Sequence, residues 1–108
     1  MATTYKLLGQ SAPNPNTDED IYTVPAGVTA ITSTLAIANR STSSKNYRVA
    51  IRPNGNTLSN VHYIAYDIPL NGNDAVMLTL GMTLPANTVV TVRSQGEVTY
   101  NLFGSEIT

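Results

Sequence analysis

The sequence predicts an all-β fold: a single-domain antiparallel β-sandwich of about eight strands, with a jelly-roll or immunoglobulin-like arrangement. The first observation is that short segments alternate apolar with polar residues and are rich in Val, Ile, Thr and Tyr. The second is that Pro, Gly and Asn separate these segments. The third is that the 108 residues include no cysteine, so the core must be held by packing alone.

Eight segments have this alternating pattern, and they leave little of the chain for helices. The predicted strands are Thr4–Gly9, Ile21–Val24, Val28–Asn39, Asn46–Arg52, His62–Ile68, Ala75–Gly81, Val89–Arg93 and Glu97–Phe103.

The third of these segments is the longest, and an unbroken period of two divides its side chains between two faces. One face would carry Ile31, Ser33, Leu35 and Ile37, and the other would carry Val28, Ala30, Thr32, Thr34, Ala36 and Ala38. Because the second face is made of short side chains, it would allow another layer or subunit to approach closely.

Turn residues lie where the strands must reverse. Pro25–Gly27 has the pattern of a type I turn, and Asn54–Asn56 and Asn71–Asn73 contain residues that tolerate positive φ. Thr23–Gly27 is also similar to Thr83–Asn87. This similarity indicates either shared turn chemistry or a duplicated unit of a jelly roll.

Residues 1–108 are interpreted as one domain, in which residues 1–20 form either an arm or an edge strand followed by a loop. An arm would add to the sheet of a neighbouring subunit, so Tyr5 and Leu7 are candidate contact residues. The first residues contain no apolar signal core, and we therefore expect a mature N-terminus at Met1.

The charge inventory argues against two classes of partner. The formal net charge is -1 and only 12% of residues are charged, whereas nucleic-acid-binding proteins carry a basic surplus. No apolar segment approaches the roughly 20 residues that span a bilayer. We therefore expect neither a nucleic acid nor a membrane as a partner.

Candidates for catalysis and metal binding are few. His62 is the single histidine, and Asp67 is a carboxylate with which it could pair. The sequence has no nucleophile elbow of the Gly-x-Ser-x-Gly type. Oxygen ligands cluster at residues 18–20 and 71–74 without the spacing of an EF-hand. We predict no catalytic residue, no metal site and no cofactor.

Three other residues are candidates for contacts with a partner protein. Arg48 and Arg52 share the face of their strand opposite the apolar residues, so their guanidinium groups would point outward and could bind the carboxylates of a partner protein. The alternative is an exposed face that favours solubility. Tyr63, on the face opposite Ile64 and Tyr66, is the tyrosine most expected at a contact.

Several strings of the sequence resemble a group of small bacteriophage virion proteins, particularly those encoded by cyanophages. The strings are Tyr5–Gln10, Tyr22–Ala26, Arg48–Pro53, His62–Asp67 and Asn101–Thr108, and they extend over nearly the whole chain. The resemblance implies a virion structural protein without catalytic residues.

From this resemblance we expect a capsid decoration or cement protein, which forms a homotrimer and binds the major capsid protein or other virion proteins. It would be found in the virion, which is assembled in the host cytoplasm. The first alternative is a structural or adhesion module of the tail, neck or fibre. A remote alternative is an enzyme that uses His62.

Overall fold

The alternating segments form strands at nearly every predicted position in the computed structural model, which describes residues 2–108. Met1, the first residue of the predicted arm, lies outside the described residues. The strands are β1 Thr3–Ser11, β2 Glu19–Thr23, β3 Thr29–Asn39, β4 Lys45–Arg52, β5 Tyr63–Leu70, β6 Ala75–Thr79, β7 Thr83–Leu84, β8 Val89–Ser94 and β9 Val98–Ile107. Two short 3₁₀ turns, Pro53–Gly55 and Asn60–His62, connect β4 to β5.

The strands form two antiparallel sheets, and this confirms the predicted sandwich. Sheet A has the strand order β1-β9-β3-β6, and β7 also pairs with β3. Sheet B has the order β2-β8-β4-β5. The chain passes repeatedly from one sheet to the other, and β4 and β5 form the hairpin within sheet B. Of the two arrangements that the sequence predicted, jelly roll and immunoglobulin-like, this strand order is that of the jelly roll.

The core lies between the sheets, where the apolar residues of both inner faces meet. Sheet A contributes Leu35, Ile37 and Leu102, while sheet B contributes Val49 and Val92, and all of these side chains are at most 1% exposed. Burial of such a side chain stabilises the fold by roughly 1.5–3 kcal/mol each. Packing alone therefore supplies a continuous core for a chain without disulfides.

A β-bulge at Ser33 corrects the predicted faces of β3. Thr32 pairs with Gly104 and Thr34 pairs with Phe103, so Ser33 is an extra residue in the strand. Its hydroxyl group donates a hydrogen bond of 3.1 Å to the carbonyl oxygen of Phe103. The bulge reverses the alternation: Ile31 points outward, although the unbroken period had placed it with the buried Leu35.

Beyond the bulge the outward face of β3 is formed by Thr34, Ala36 and Ala38, which are half-buried. Before the bulge Ala30 and Thr32 point inward and are fully buried. The prediction that all these short side chains share one face is therefore wrong, because it assumed a regular strand.

The turn at Pro25 also differs from its prediction. The N–H of Val28 donates to the carbonyl oxygen of Pro25, and Gly27 has a φ of 76°. A positive φ at the third turn position is typical of a type II turn, not of the predicted type I. Thr88 donates to Pro85 in the same way, and Asn87 has a φ of 70°. The internal similarity of the sequence thus corresponds to a shared turn geometry.

The N-terminal segment belongs to the sheet of its own domain. β1 pairs with β9, and the backbones of Ala2 and Thr108 exchange two hydrogen bonds. Leu8 is buried in the core, and Gly9 lies directly against the backbone of Ile21 in β2. In this structure residues 3–11 are an edge strand of sheet A.

One buried polar side chain connects two loops at the end of the sandwich. Asn39 is 3% exposed, and its amide nitrogen donates to the carbonyl oxygens of Ser43, Leu70 and Asn71 at distances of 2.9–3.2 Å. Its amide oxygen accepts hydrogen bonds from the N–H and hydroxyl of Ser41. The β3–β4 and β5–β6 loops are therefore fixed to each other through a single residue.

Candidate binding surfaces

The outer face of sheet B carries ion pairs within the chain. Arg48 pairs with Asp67, and Arg93 approaches Asp18 at 3.5 Å. Arg48 and Arg93, together with Asn16 and Asn46, line a small polar cleft on this face. The predicted outward direction of the arginines is thus correct, but their positive charges already face carboxylates of the same molecule.

A bulge in β5 builds the surroundings of Arg48. Tyr47 pairs with Ile68 and Val49 pairs with Ala65, so Tyr66 and Asp67 together lie opposite Arg48. Asp67 has a φ of 52°, a left-handed conformation that Asp tolerates better than most residues.

The bulge brings two different groups onto the Arg48 guanidinium. The carboxylate of Asp67 accepts hydrogen bonds of 2.6 and 3.2 Å from Nε and Nη2 of Arg48. The Tyr66 ring lies 4.1 Å from the guanidinium carbon, within cation–π range. The hydrogen bonds from Arg48 hold the pKa of the Asp67 carboxyl below its usual value, and those bonds raise the pKa of Arg48.

Arg52 is even more completely engaged within the chain. Its guanidinium donates to Asp20, to the hydroxyl of Thr91 and to the carbonyl oxygens of Gly55 and Asn56, at distances of 2.9–3.2 Å. The side chain is only 15% exposed. Both guanidinium groups are therefore bound within the chain, and a partner contact by either arginine stays a prediction.

The two tyrosines of β5 form an aromatic pair beside Arg48. The Tyr63 and Tyr66 rings meet edge to face with centroids 4.8 Å apart, and together with Asn60 they line a shallow recess. Tyr66 is 52% exposed, and Tyr63 is half-buried opposite Ala50. A second register shift, between Val49 and Ala50, leaves Ile64 as an extra residue between Tyr63 and Ala65. This second bulge places both rings on one face, so the predicted opposite orientation of Tyr63 and Tyr66 is wrong.

His62 has a local structural role in the 3₁₀ turn that precedes β5. Its Nδ1 accepts a hydrogen bond of 3.1 Å from the N–H of Ser59, and the Ser59 side chain accepts one from the backbone of His62. Asp67, the predicted partner of this histidine, is bound to Arg48 instead. Within residues 2–108 no three acidic or histidine side chains come together as a metal site.

The sandwich also contains a polar bridge between its sheets. The hydroxyl of Tyr22, on β2, donates a 2.5 Å hydrogen bond to Glu106 on β9, and Lys6 on β1 contributes an ion pair of 3.1 Å. The hydrogen bond from Tyr22 and then that from Lys6 lower the pKa of the Glu106 carboxyl. Burial and the hydrogen bond to Glu106 raise the pKa of Tyr22.

The outer face of sheet A differs from that of sheet B, because no residue in its cross-strand rows carries a charge. A guanidinium group reaches only the row at one end, where Nε of Arg40 donates to the hydroxyl of Thr99 at 2.8 Å. Cross-strand partners arrange its side chains in rows, since directly opposed residues share a face. The rows are Tyr5, Ser105, Ile31 and Thr83; Leu7, Phe103, Thr34 and Thr79; Gln10, Asn101, Ala36 and Met77; and Thr99, Ala38 and Ala75.

Large apolar side chains are exposed on this face, which we call the uncharged face. Tyr5 is 84% exposed, and Leu7, Phe103 and Ile31 are exposed by 36–41%. Tyr5 and Leu7 were predicted contact residues, and the structure leaves both accessible. Ile31 and Phe103 were missed, because the bulge at Ser33 that exposes Ile31 has no reliable signature in a single sequence.

An apolar groove opens where the edges of the two sheets meet, between β5 of sheet B and β6 of sheet A. Ile64, Ile68 and Met77 line it and are 46%, 41% and 64% exposed, and Leu78 and Leu80 form part of its floor. Ile64 and Ile68 lie on β5, which pairs only with β4. They are exposed because β5 is an edge strand and nothing within residues 2–108 covers this side.

The described part of the chain contains no helix long and apolar enough to cross a membrane. In comparisons with protein-family models, curated proteins and solved structures, the chain matches none of them.

Proposed function

We propose that this chain is a non-enzymatic virion structural protein that decorates the capsid, and that it attaches through the uncharged face of sheet A. The observation that carries the proposal is the rows of uncharged residues from which Tyr5, Leu7, Ile31 and Phe103 are exposed. Exposed apolar side chains clustered on one face are typical of a protein–protein contact.

The physical chemistry of the face favours a protein partner. A surface without charges loses little hydration free energy when it is buried, and its exposed aromatic rings gain by leaving water. The face is four strands wide, which at about 4.8 Å per strand and about 33 Å of strand length gives roughly 600 Å². This approaches the ~800 Å² that each partner buries in a standard interface.

The resemblance to phage virion proteins supports the assignment to a particle, and it makes the major capsid protein or another virion protein the partner. A decoration protein has many identical attachment points and needs no catalytic group. This agrees with the engagement of Arg48, Arg52 and His62 in structural contacts. The location would be the virion, assembled in the host cytoplasm.

A charge placed in the middle of the uncharged face tests the attachment. Ala36 lies at the centre of the face, and Ala36→Lys would bury an unpaired ammonium group on binding. We expect occupancy on purified particles, measured by quantitative mass spectrometry, to fall at least about tenfold, which corresponds to about 1.4 kcal/mol. The matched control is Thr23→Lys, an equally charged change at an exposed position of sheet B, which should keep full occupancy.

Electron cryo-microscopy of the same particles would show where on the particle the domain lies. Density for the domain on the head, lost with Ala36→Lys, would support the proposal. Particles without this chain, or density restricted to the tail, would overturn capsid decoration.

A second candidate function, an adhesion module of the tail or fibre, is favoured by the recess at Tyr63, Tyr66 and Asn60. Sugars stack on exposed aromatic rings and hydrogen-bond to neighbouring polar groups, and Tyr66 and Asn60, which line the recess, offer both. Reproducible binding on a glycan array that is lost in Tyr66→Ala, with particle occupancy unchanged, would favour this function. An array without hits would leave it unsupported.

A further inference from the structure

The described strands end in four sheet edges, formed by β1, β2, β5 and by β6 with the two-residue β7, and three of these edges carry features that prevent pairing with another chain. β5 combines the bulge at Asp67 with Pro69, and proline cannot donate to a neighbouring strand. β2 begins with Glu19 and Asp20 and is interrupted by a bulge. β1 contains Lys6 and the bulge at Leu8.

β6 is the exception. Its five residues, Ala75–Thr79, pair with β3 in an unbroken register, and they include no proline, charge or bulge. One side of this strand therefore presents a straight row of backbone N–H and C=O groups with no partner in sheet A. Such an edge is a template for strand addition.

The apolar groove runs beside this same edge. Met77 and Leu78 of β6 line it on one side, and Ile64 and Ile68 of β5 line it on the other. An isolated peptide strand added to β6 would satisfy the backbone of β6 but would leave the β5 wall exposed. A whole folded domain placed at the edge covers both.

We propose that the occupant is a second copy of this chain, paired through its own β6 in antiparallel orientation about a two-fold axis. A two-fold contact requires one surface to complement itself, and the uncharged β6 meets this condition. In a register centred on Met77, the two Met77 residues face each other and Val76 lies opposite Leu78 of the second copy. The two A sheets become one continuous sheet, and each groove is closed by the other copy.

This dimer does not depend on capsid decoration, because it requires only the chain itself. It also differs from the trimer expected from the sequence. The mass in solution separates these cases, since one chain has a mass of 11.5 kDa. Analytical ultracentrifugation of the wild-type chain should give twice that mass at high micromolar concentration. A monomeric or trimeric mass would overturn the proposal.

Charge substitutions at residue 77 test the register. The Met77 side chain is 64% exposed, so Met77→Lys and Met77→Glu should both fold, as circular dichroism would verify. Each variant alone places like charges directly opposite each other, and we expect its dimer dissociation constant to rise at least about tenfold. An equimolar mixture places Lys opposite Glu and should restore the dimer.

The matched control is Gln10→Lys, which adds the same charge in the same cross-strand row at the opposite edge of sheet A. This variant should dimerise like the wild type. Met77→Lys remaining a dimer, Gln10→Lys becoming a monomer, or the mixture staying monomeric would each refute the β6 contact. Loss of particle binding without loss of dimerisation would concern only the proposed function.

Discussion

Asn39 shows how much of the loop structure depends on a single buried side chain. Its two amide N–H groups are shared among three carbonyl oxygens, and its amide oxygen accepts two hydrogen bonds. Its backbone N–H donates to the carbonyl oxygen of Asp74. Buried backbone groups that lose such a partner have no water to replace it. The loops that follow β3 and β5 are therefore expected to depend on this residue for their order.

We predict that Asn39→Ala destabilises the protein by about 3 kcal/mol, because it leaves several buried polar groups without partners. The free energy of unfolding from urea titrations is the measurement. Asn14→Ala, at an exposed loop position, is the control and should change stability by less than about 0.5 kcal/mol. Similar values for the two variants would show that the Asn39 network contributes little.

Glu106 gives the fold a dependence on pH whose sign follows from its contacts. The folded state lowers the pKa of this carboxyl group below its unfolded value, because Tyr22 and Lys6 donate hydrogen bonds to it. The unfolded chain thus binds more protons in the window between the two pKa values. The stabilisation is complete above the unfolded pKa of about 4.3, and it is lost as the pH falls through the folded pKa.

We therefore predict that Glu106→Gln flattens the acid limb of the stability profile. The variant keeps an acceptor for Tyr22 but does not titrate, so the difference in unfolding free energy between wild type and variant should shrink below about pH 4. Parallel curves for the two proteins down to low pH would show that the carboxyl group of Glu106 contributes nothing to the acid response.

At the scale of elements, the two sheets approach each other most closely where β1 crosses β2. A methyl group on Gly9 would collide with the carbonyl oxygen of Ile21, which belongs to the backbone and cannot rotate away. Gly27 offers a contrast, because its Cβ position is open and only its φ of 76° disfavours other residues. The two glycines are therefore required for different reasons.

We predict that Gly9→Ala costs about 2–3 kcal/mol through overpacking, whereas Gly27→Ala costs about 1 kcal/mol through backbone strain. Thermal and chemical unfolding of both variants measures the difference. An equal loss of stability in the two variants would indicate that β1 and β2 move apart to accept the methyl group.

Strand positions were predictable because period-two patterning is local, and each predicted strand has a counterpart in the structure. The face on which each side chain lies was not predictable, because a bulge depends on the partner strand. Ser33 becomes an extra residue only when β9 is beside β3. The same holds for Tyr66 and Asp67, which surround Arg48 after β5 has paired with β4. The two-residue β7 is too short for any pattern to indicate it.

For the candidate surfaces too, single residues could be named from the sequence but their contacts with other strands could not. Tyr5 and Leu7 were predicted as contact residues because their segment is terminal, and both are exposed on the uncharged face. A partner contact by either of them stays a prediction. The partners of Arg52 come from β2, β8 and the turn at Gly55, so their convergence is a property of the assembled sandwich. No spacing within the sequence encodes it.

The whole molecule is divided into two unlike faces. Sheet B carries ion pairs on its outer surface at Arg48, Arg52 and Arg93, whereas the rows of sheet A are uncharged. A contact through sheet A or its β6 edge consequently relies on apolar burial and backbone hydrogen bonds. Mobile ions screen charges but hardly weaken either of these.

This difference predicts the salt response of the assembly. Sodium chloride from low to physiological concentration and above should leave the wild-type dimer unchanged, and sulfate should strengthen it because sulfate favours apolar burial. The mixed dimer of Met77→Lys with Met77→Glu should instead weaken with sodium chloride, since it adds an exposed ion pair that salt screens. Sedimentation at several salt concentrations measures both dissociation constants. A wild-type dimer that dissociates with salt would place the contact on the ion-paired face of sheet B, contrary to the β6 edge.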